Sequence, residues 1–287
     1  MTSVQVQQAL KLTADRLRQH PITHARLEAQ LIISAVLNQT QAWLYAHSDC
    51  EIENAVWRQI ESMLDQRLQG MPLAYVIGEQ GFWDLDLKVT QDTLIPRPET
   101  ELLVEKAFAL LPVTEQFLID LGTGTGAVAL ALAKSRPHWH IFAVDIENKA
   151  LSVARYNQTK YQLDNVRLIQ ADWLACFQKA GFDAIIANPP YIAWDDPDIA
   201  PQVKYYEPAS ALFAADHGLA AINTIIKQAS DILKPGGLLL LEHGFKQKEQ
   251  INNTIRLHEF NSIENLLDLQ SHPRMVCATK GKKAAKH

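Results

Sequence analysis

The sequence predicts an α/β fold: a mostly parallel sheet covered by helices on both faces, preceded by a small helical domain. Three observations carry this prediction. From about residue 117 onward, short apolar segments alternate with helical patterns, as in parallel sheets. In the first seventy residues, apolar side chains recur at helical spacing only. Between these regions, a short segment alternates apolar and polar residues, which indicates a connecting β-hairpin.

Composition and charge exclude several classes of protein. The chain has 287 residues, and its 47% hydrophobic and 21% charged side chains are typical of a globular protein. No apolar run approaches the roughly 20 residues that span a bilayer. With no signal-peptide pattern either, we expect a cytoplasmic protein without a membrane partner. Three widely spaced cysteines form no metal-binding or redox pair, and the net charge of −5 argues against a surface that coats nucleic acid.

Residues 1–72 are predicted to form a domain that contains only helices. Ser3 is a candidate cap for the first helix. Thr23 is a better cap for the second, because Ile22 and Leu27 on either side of it would form a hydrophobic staple. Apolar side chains then recur every four residues and predict the buried face of this helix. That face is Leu27, Leu31 and Ala35.

The rest of this domain is predicted to be a short segment from Thr40 and one longer helix. The longer helix has an apolar side chain at every fourth position from Ile52 to Leu68. Gly70 and Pro72 end it in the expected order, with glycine just past the end and proline beyond.

Residues 73–97 are predicted to be a β-hairpin linker. The segment from Trp83 to Val89 alternates apolar and charged residues, which predicts a half-buried strand. Gly78 and Gly81 would supply the turn before it. The following stretch, Leu94-Ile95-Pro96-Arg97-Pro98-Glu99, is too rich in proline to be regular structure.

Residues 98–287 are predicted to form the α/β domain. Pro98, Glu99 and Glu101 would begin its first helix well. Two strands near the end, around Ile263–Leu269 and at Met275–Thr279, would complete a seven-stranded sheet. The other five strand candidates are Phe117–Leu121, His140–Val144, Val166–Ile169, Phe182–Ala187 and Leu238–Glu242.

A glycine-rich loop follows the first of these strands. Glycines at a strand-to-helix turn allow a tight turn and let backbone N–H groups approach a ligand closely. The string also fits a GxGxxG/A pattern if Ala127 is counted, so it does not by itself separate NAD from other adenosyl ligands. The candidate binding residues are Gly122, Thr123, Gly124, Thr125 and Gly126.

Acidic residues follow the next two predicted strands. Asp145 lies about twenty residues beyond the glycine loop, where a carboxylate can accept both hydroxyls of an unphosphorylated ribose. After the third strand comes Asp172-Trp173. Asp172 could accept from an adenine amine, and Trp173 could stack on the ring or simply belong to the core.

The turn Asn188-Pro189-Pro190-Tyr191 comes directly after an apolar strand. Its prolines lack N–H donors and fix φ, so the turn is stiff and rich in acceptors. The Asn188 side-chain oxygen and the Pro189 carbonyl could accept the two hydrogens of one planar NH₂ group. Tyr191 offers a face for a flat amide or base.

Together these motifs resemble class I S-adenosylmethionine methyltransferases that modify planar amino nitrogens. The Asn-Pro-Pro-Tyr turn is shared by N6-adenine DNA methyltransferases and glutamine-amide methyltransferases. Three further features are similar to the PrmC (HemK) family. They are the segment Leu94–Glu101, the helical N-terminal domain and Tyr206-Glu207-Pro208.

This resemblance implies a Rossmann-like class I methyltransferase domain and a function in translation termination. The PrmC family methylates N5 of the glutamine in the Gly-Gly-Gln motif of class I peptide chain release factors. By resemblance, the Gly122–Gly126 loop, Asp145, Trp173 and Asn188 contact S-adenosylmethionine. Asn188 to Tyr191 hold the substrate glutamine, and residues 1–72 dock the release factor. Glu242 and His243 are interpreted as structural or pocket-lining.

The nearest alternative is an N6-adenine methyltransferase acting on DNA or RNA with the same turn on a flipped base. Residues 1–72 hold six Lys and Arg against seven Asp and Glu, a net of −1, which is wrong for a module that reads DNA. A nicotinamide dehydrogenase would leave the Asn-Pro-Pro-Tyr turn unexplained, and a non-catalytic binding protein is less favoured still. We therefore expect an enzyme that acts on protein, with no direct nucleic-acid partner. We also expect a monomer and no metal.

Overall fold

The computed structural model describes residues 3–178, 181–268 and 270–281, and the chain divides into two compact units. The first unit runs as far as Glu79 and also includes Pro201–Tyr206, and the second holds the rest. The predicted domain boundaries at residues 72 and 97 remain a proposal. The last six residues of the predicted α/β domain, 282–287, lie outside the described residues. Among the described residues, no helix is long and apolar enough to cross a bilayer.

The first unit combines helices with one small sheet. Its strands β1 and β2 pair antiparallel, with Val4 opposite Ile52. The prediction of helices only is therefore wrong here, because strands of three residues are too short to show a period. The elements are β1 (Ser3–Gln5), α1 (Val6–Arg18), α2 (Ala25–Leu37), α3 (Gln41–Ala46), β2 (Glu51–Glu53), α4 (Asn54–Leu68) and α5 (Leu73–Ile77), joined by the later helix Pro201–Tyr206.

Neither of the first two predicted caps is correct. Ser3 lies in β1, where its hydroxyl donates to Glu51 Oε2 at 2.9 Å, and α1 begins three residues later. α2 begins at Ala25, after His24, and no side chain caps it. Leu27 is 46% exposed, so the predicted buried face of α2 is also wrong. The hydrophobic face that α2 buries is Ala25, Ala29, Ile32 and Ile33. Ala25 and Ala29 cluster with Ala14 and Leu17 of α1, so small side chains let the helices pack closely.

The later predictions for this unit are confirmed, except that Ile52 lies in β2 and not in the long helix. The Thr40 hydroxyl accepts from the backbone N–H of Trp43 at 3.1 Å and caps α3. α4 covers most of the predicted long helix and buries Ile60 and Leu64. It ends before Gly70, whose φ of +99° is the left-handed conformation that glycine tolerates.

The second unit is an α/β domain preceded by a hairpin. All seven predicted strands of the sheet are present. The elements are β3 (Glu79–Phe82), β4 (Leu85–Lys88), α6 (Glu101–Leu110), β5 (Gln116–Leu121), α7 (Ala127–Ser135), β6 (Trp139–Asp145), α8 (Asn148–Tyr161), β7 (Val166–Gln170), β8 (Phe182–Ala187), α9 (Pro201–Tyr206, in the first unit), α10 (Ala209–Leu212), α11 (Ala220–Ile232), β9 (Leu233–Glu242), α12 (Lys248–Leu257), β10 (Phe260–Leu267) and β11 (Pro273–Lys280). A 3₁₀ turn at Pro98–Thr100 precedes α6, as the proline and acidic residues predicted.

The seven strands lie in the order β10-β11-β9-β8-β5-β6-β7. The five strands from β9 to β7 are parallel, and β11 pairs antiparallel with both β9 and β10. The chain runs from β5 outward to β7 and then returns to β8 on the other side of β5. The topological switch point, where open α/β sheets bind ligands, therefore lies between β5 and β8.

Both faces of the sheet are buried. Leu118 and Ile119, successive residues of β5, belong to two separate hydrophobic clusters. Because successive strand side chains point to opposite faces, one cluster lies on each side of the sheet. The first cluster includes residues of α6 and α7, and the second includes residues of α11 and α12. This is the doubly covered arrangement that the sequence predicts.

The predicted hairpin is present, but its turn is at Trp83 and Asp84 and not at Gly78 and Gly81. Gly78 ends α5, Gly81 lies in β3, and the second strand starts two residues later than expected. Trp83 has a φ of +57° and lies in the turn. Side chains of α8 cover one edge of β4. Asn157 accepts from the Lys88 N–H at 2.8 Å and donates to the Lys88 carbonyl at 3.1 Å. The Tyr161 hydroxyl likewise accepts from the Asp86 N–H at 2.7 Å and donates to its carbonyl at 3.0 Å.

Candidate active site

Most of the candidate residues lie at the carboxyl edge of the parallel strands. They line one cleft. Those that line it are Gly122, Gly124, Asp145, Asp172, Trp173, Asn188 and Pro190. Thr123 and Thr125 line a second hollow of about 420 Å³ that shares Gly122, Gly124 and Asn188 with the first. Gly126, Pro189 and Tyr191 line neither, so these three contribute through the turns to which they belong.

Backbone geometry explains why the loop after β5 needs its glycines. Gly122, Gly124 and Gly126 have φ values of +67°, +55° and +84°, a region that side chains disfavour. A Cβ at position 126 would also lie 3.0 Å from Leu130 Cδ1, so this glycine lets α7 pack beside the loop. The Thr123 N–H donates to the Val144 carbonyl at 2.9 Å and ties the loop to β6.

Asp145 is fixed by two backbone donors. Its Oδ2 accepts from the Gly124 N–H and its Oδ1 from the Glu147 N–H, both at 2.9 Å. Each carboxylate oxygen keeps a further lone pair for a ligand hydroxyl. Burial is the main cause that raises the pKa of Asp145 above its ordinary value, and the two N–H donors oppose it.

Asp120, the first residue of the glycine motif, is hydrogen-bonded to the loop that follows it. Its carboxylate accepts from the Thr123 hydroxyl at 2.6 Å, and burial raises its pKa to about 7. The desolvation cost of this carboxyl shows how closely the loop covers the end of β5.

Trp173 lies beside the glycine loop and Asp172 is exposed at the rim of the cleft. A Cβ built on Gly122 would lie 3.7 Å from Trp173 Cζ3 and 3.8 Å from the Asn188 carbonyl oxygen, so the loops after β5, β7 and β8 meet here. Sequence reasoning missed Ile146, which lines the cleft and is 58% exposed. Its position directly after the strand-end acid was an available signal.

A chain of side-chain hydrogen bonds holds Asn188. Its Nδ2 donates to Thr100 Oγ1 at 3.0 Å, and the Thr100 hydroxyl donates to Glu242 Oε2 at 2.7 Å. The Tyr191 hydroxyl donates to Glu242 Oε1 at 3.1 Å. Sequence reasoning missed Thr100 and interpreted Glu242 only as structural or pocket-lining.

Burial dominates the electrostatics of this chain. Burial raises the pKa of Glu242 to about 7. The hydrogen bonds from the hydroxyls of Thr100 and Tyr191 oppose this shift, because they stabilise the carboxylate. Burial, and next the neighbouring Glu242 charge, raise the pKa of Tyr191, so its phenol stays protonated. His243 is also buried, which lowers its pKa and keeps the ring neutral, and its Nδ1 lies 2.9 Å from the Gly244 carbonyl oxygen.

The backbone of the turn is held from its far side. Gln247 Nε2 donates to the Tyr191 carbonyl at 2.9 Å. A Cβ on Gly218 would lie 2.1 Å from the same carbonyl oxygen, so only glycine fits there. Pro189 is buried, and Pro190 borders the cleft. The carboxyl end of β8 is therefore rigid.

Glu207, one residue of the Tyr206-Glu207-Pro208 motif, anchors the proline-rich loop. Its carboxylate, 1% exposed, accepts from the Ile95 N–H at 3.1 Å and from the Arg97 guanidinium at 2.5 Å. Leu94 and Pro208 border the cleft on either side of this pair. The ion pair thus fixes two segments of the cleft wall.

The fold and site define a methyltransferase. Residues 115–286 match the family described as "Methyltransferase domain", and residues 8–78 match the "PrmC N-terminal domain". A methyltransferase from Pyrococcus furiosus has the same fold, with a TM-score of 0.54 at 17% identity over 78% of this chain and 98% of that one. A ribosomal protein L11 methylase from Lactobacillus delbrueckii has a TM-score of 0.50 at 17% identity, over 71% of this chain and 90% of that one.

The curated relatives indicate which family of methyltransferases the chain belongs to. The release factor glutamine methyltransferase of Coxiella burnetii is 41% identical over 89% of this chain and 92% of its own length. The one from Francisella tularensis is 38% identical over 98% and 99%, and the one from Escherichia coli 38% over 88% and 91%. The chain belongs to the release factor glutamine methyltransferase family.

Proposed function

We propose that this enzyme transfers a methyl group from S-adenosylmethionine to N5 of the glutamine in the Gly-Gly-Gln motif of class I peptide chain release factors. The observation that carries the proposal is the position of the Asn188–Tyr191 turn, one residue beyond β8 and against the glycine loop of β5. We further propose that the enzyme acts in the cytoplasm, as a monomer, on protein rather than nucleic acid.

The residues around the cleft fit S-adenosylmethionine. Asp145 has free lone pairs for ribose hydroxyls, Trp173 and Ile146 offer apolar surface for an adenine, and Asp172 could accept from its amine. Gly122 and Gly124 let the backbone approach the ligand. When bound, S-adenosylmethionine supplies an electrophilic methyl group on a positively charged sulfur.

Asn188 and Pro189 would orient the nucleophile. An amide nitrogen reacts poorly because its lone pair is delocalised. If the Asn188 Oδ1 and the Pro189 carbonyl accept its two hydrogens, the lone pair points along one fixed axis, and such orientation contributes up to about 7–11 kcal/mol. The same acceptors stabilise the positive charge that grows on nitrogen.

No strong base is required at the nitrogen. As the nitrogen–carbon bond forms and the carbon–sulfur bond breaks, the methylated amide becomes a strong acid and releases its proton to water. Neither neighbouring titratable group is arranged as that base. His243 is buried beside the Gly244 carbonyl, and both oxygens of Glu242 already accept hydroxyl protons.

The substrate distinguishes this function from its nearest alternative, methylation of the adenine amino group. With labelled S-adenosylmethionine, we expect methyl transfer to a purified class I release factor and none to plasmid DNA. A release factor whose motif glutamine is replaced by alanine is the matched control and should remain unlabelled. Labelling of the DNA instead would favour the adenine methyltransferase.

Asp145 should matter for cofactor binding more than for folding. A hydrogen bond to a charged group is worth about 1.5–3 kcal/mol, and 1.4 kcal/mol is a tenfold change in affinity. Asp145→Ala should therefore weaken S-adenosylmethionine binding at least tenfold in titration calorimetry. Because the Gly124 and Glu147 N–H groups lose their acceptor, it should also lower the melting temperature by a few degrees. Asp164→Ala, at an exposed acid of the same unit, should leave the affinity unchanged. Equal affinities for the two variants would remove Asp145 from the site.

Asn188 should carry turnover more than substrate affinity, because its bond to the amide strengthens as the nitrogen gains charge. Asn188→Ala lets the glutamine amide rotate, and misplacement on this scale costs about 10²-fold in rate. We expect kcat to fall by that factor, whereas Asn253→Ala, at an exposed position, should match the wild type. Wild-type kcat with only a higher KM in Asn188→Ala would contradict the positioning mechanism.

The N-terminal domain is proposed to dock the folded substrate. Its net charge of −1 over residues 1–72 and its compact helical core suit a protein partner. A chain shortened to begin at Gly70 should still bind S-adenosylmethionine but lose most methyl transfer to an intact release factor. A short peptide containing Gly-Gly-Gln should be methylated equally by the short and full chains. Normal transfer to the intact factor by the short chain would exclude a docking role.

A further inference from the structure

We propose that Glu242 is a positioning residue that acts through Thr100 to set which atom of the Asn188 side-chain amide faces the substrate. This inference rests on the proposed function, because it assigns the group that makes Asn188 an acceptor. Glu242 lies at the carboxyl end of β9, and the Thr100 hydroxyl links it to Asn188.

Proton counting carries the argument. A hydroxyl has one proton to donate, and Thr100 gives it to Glu242 Oε2 at 2.7 Å. The Thr100 oxygen can then only accept, and the group 3.0 Å away that donates to it is Nδ2 of Asn188. The amide oxygen Oδ1 is consequently the atom left for the substrate. An ionised Glu242 therefore produces the acceptor that an NH₂ group requires.

A protonated Glu242 would reverse this chain. A carboxylic acid at Oε2 could donate to Thr100, whose proton would then turn toward Asn188 and require Oδ1 in place of Nδ2. The substrate would face the NH₂ group of Asn188, and two NH₂ groups form no hydrogen bond with each other in the required sense. The ionised state of Glu242 is thus the competent state.

Several charged or titratable groups lie next to Glu242. Arg274 of β11, the strand paired beside Glu242, favours its ionised form, and Glu99 of the 3₁₀ turn opposes it. Tyr191 donates to Oε1, and His243, the next residue, is neutral.

Two charged residues of α6, which packs on β9, have partners elsewhere in the structure. Glu101 accepts from the Trp83 N–H, and Lys106 pairs with Glu264. Burial raises the pKa of Glu242 to about 7, so its titration can be followed between about pH 6 and pH 8.

Thr100 allows the relay to be cut without changing its shape. Thr100→Val has the same outline but no hydroxyl, whereas Thr100→Ser keeps the hydroxyl. With a release factor as substrate, we expect wild-type kcat to rise with pH through about 7. Thr100→Val should lower kcat about 10²-fold, with KM within about threefold and without this rise. Thr100→Ser should retain both the rise and most of the rate.

Glu242→Gln provides a second variant that removes the buried charge and therefore should fold. Its kcat should be independent of pH between about 6 and 8, because glutamine cannot ionise. A Thr100→Val enzyme with wild-type kcat and pH profile would overturn the proposal. Equal losses in Thr100→Ser and Thr100→Val would also overturn it, since that pattern indicates packing alone.

A measurement without substrate separates this proposal from the proposed function. In ¹⁵N-labelled full-length protein, the Asn188 side-chain amide resonance, assigned by its loss in Asn188→Ala, should shift with pH around the Glu242 pKa of about 7. The shift should persist in Thr100→Ser and vanish in Thr100→Val and Glu242→Gln. A resonance that titrates equally in Thr100→Val would refute the relay, whatever substrate the enzyme methylates.

Discussion

Strand β5 is hydrogen-bonded in parallel to β6 on one side and to β8 on the other, and its register fixes the whole site. Leu121 lies opposite Val144 and opposite Ala187. The next residue outward on each of the three strands is Gly122, Asp145 and Asn188. A shift of one residue in either pairing would turn the Asp145 or Asn188 side chain to the wrong face, so the cleft depends on this alignment before it depends on any single contact.

The sequence predicts the large elements well because they are regular over many residues. Buried strands form continuous apolar runs, and all seven strands of the sheet were found where expected. Errors arose where the local signal is short or ambiguous. The three-residue strands β1 and β2 have no measurable period, and α2 is apolar around most of its circumference. Which of its faces is buried depends on close packing of Ala25 and Ala29 against α1, a contact that the spacing of larger side chains does not reveal.

The residues of the site likewise divide into those that the sequence predicts and those that it does not. Three features of the site could be predicted from the sequence because each lies at the end of one strand. They are the glycine loop, Asp145 and the Asn188–Tyr191 turn. Thr100 and Glu242 are 142 residues apart, and Thr100 and Asn188 are 88 apart. Their meeting depends on strand order, since β9 lies beside β8, and on a 3₁₀ turn that precedes the sheet in sequence. Local patterns contain neither fact. The ligand roles of the individual residues remain predictions.

The side chains of α8 along β4 have a consequence for solubility. An antiparallel partner strand would bond to both the N–H and the carbonyl of alternate residues in β4. The side chains of Asn157 and Tyr161 make the same pair of bonds to Lys88 and Asp86, respectively. A two-stranded hairpin otherwise presents a free edge to any passing chain. With these outward backbone groups already bonded to side chains, β4 offers no template for a third strand, so this edge of the hairpin is protected from edge-to-edge aggregation.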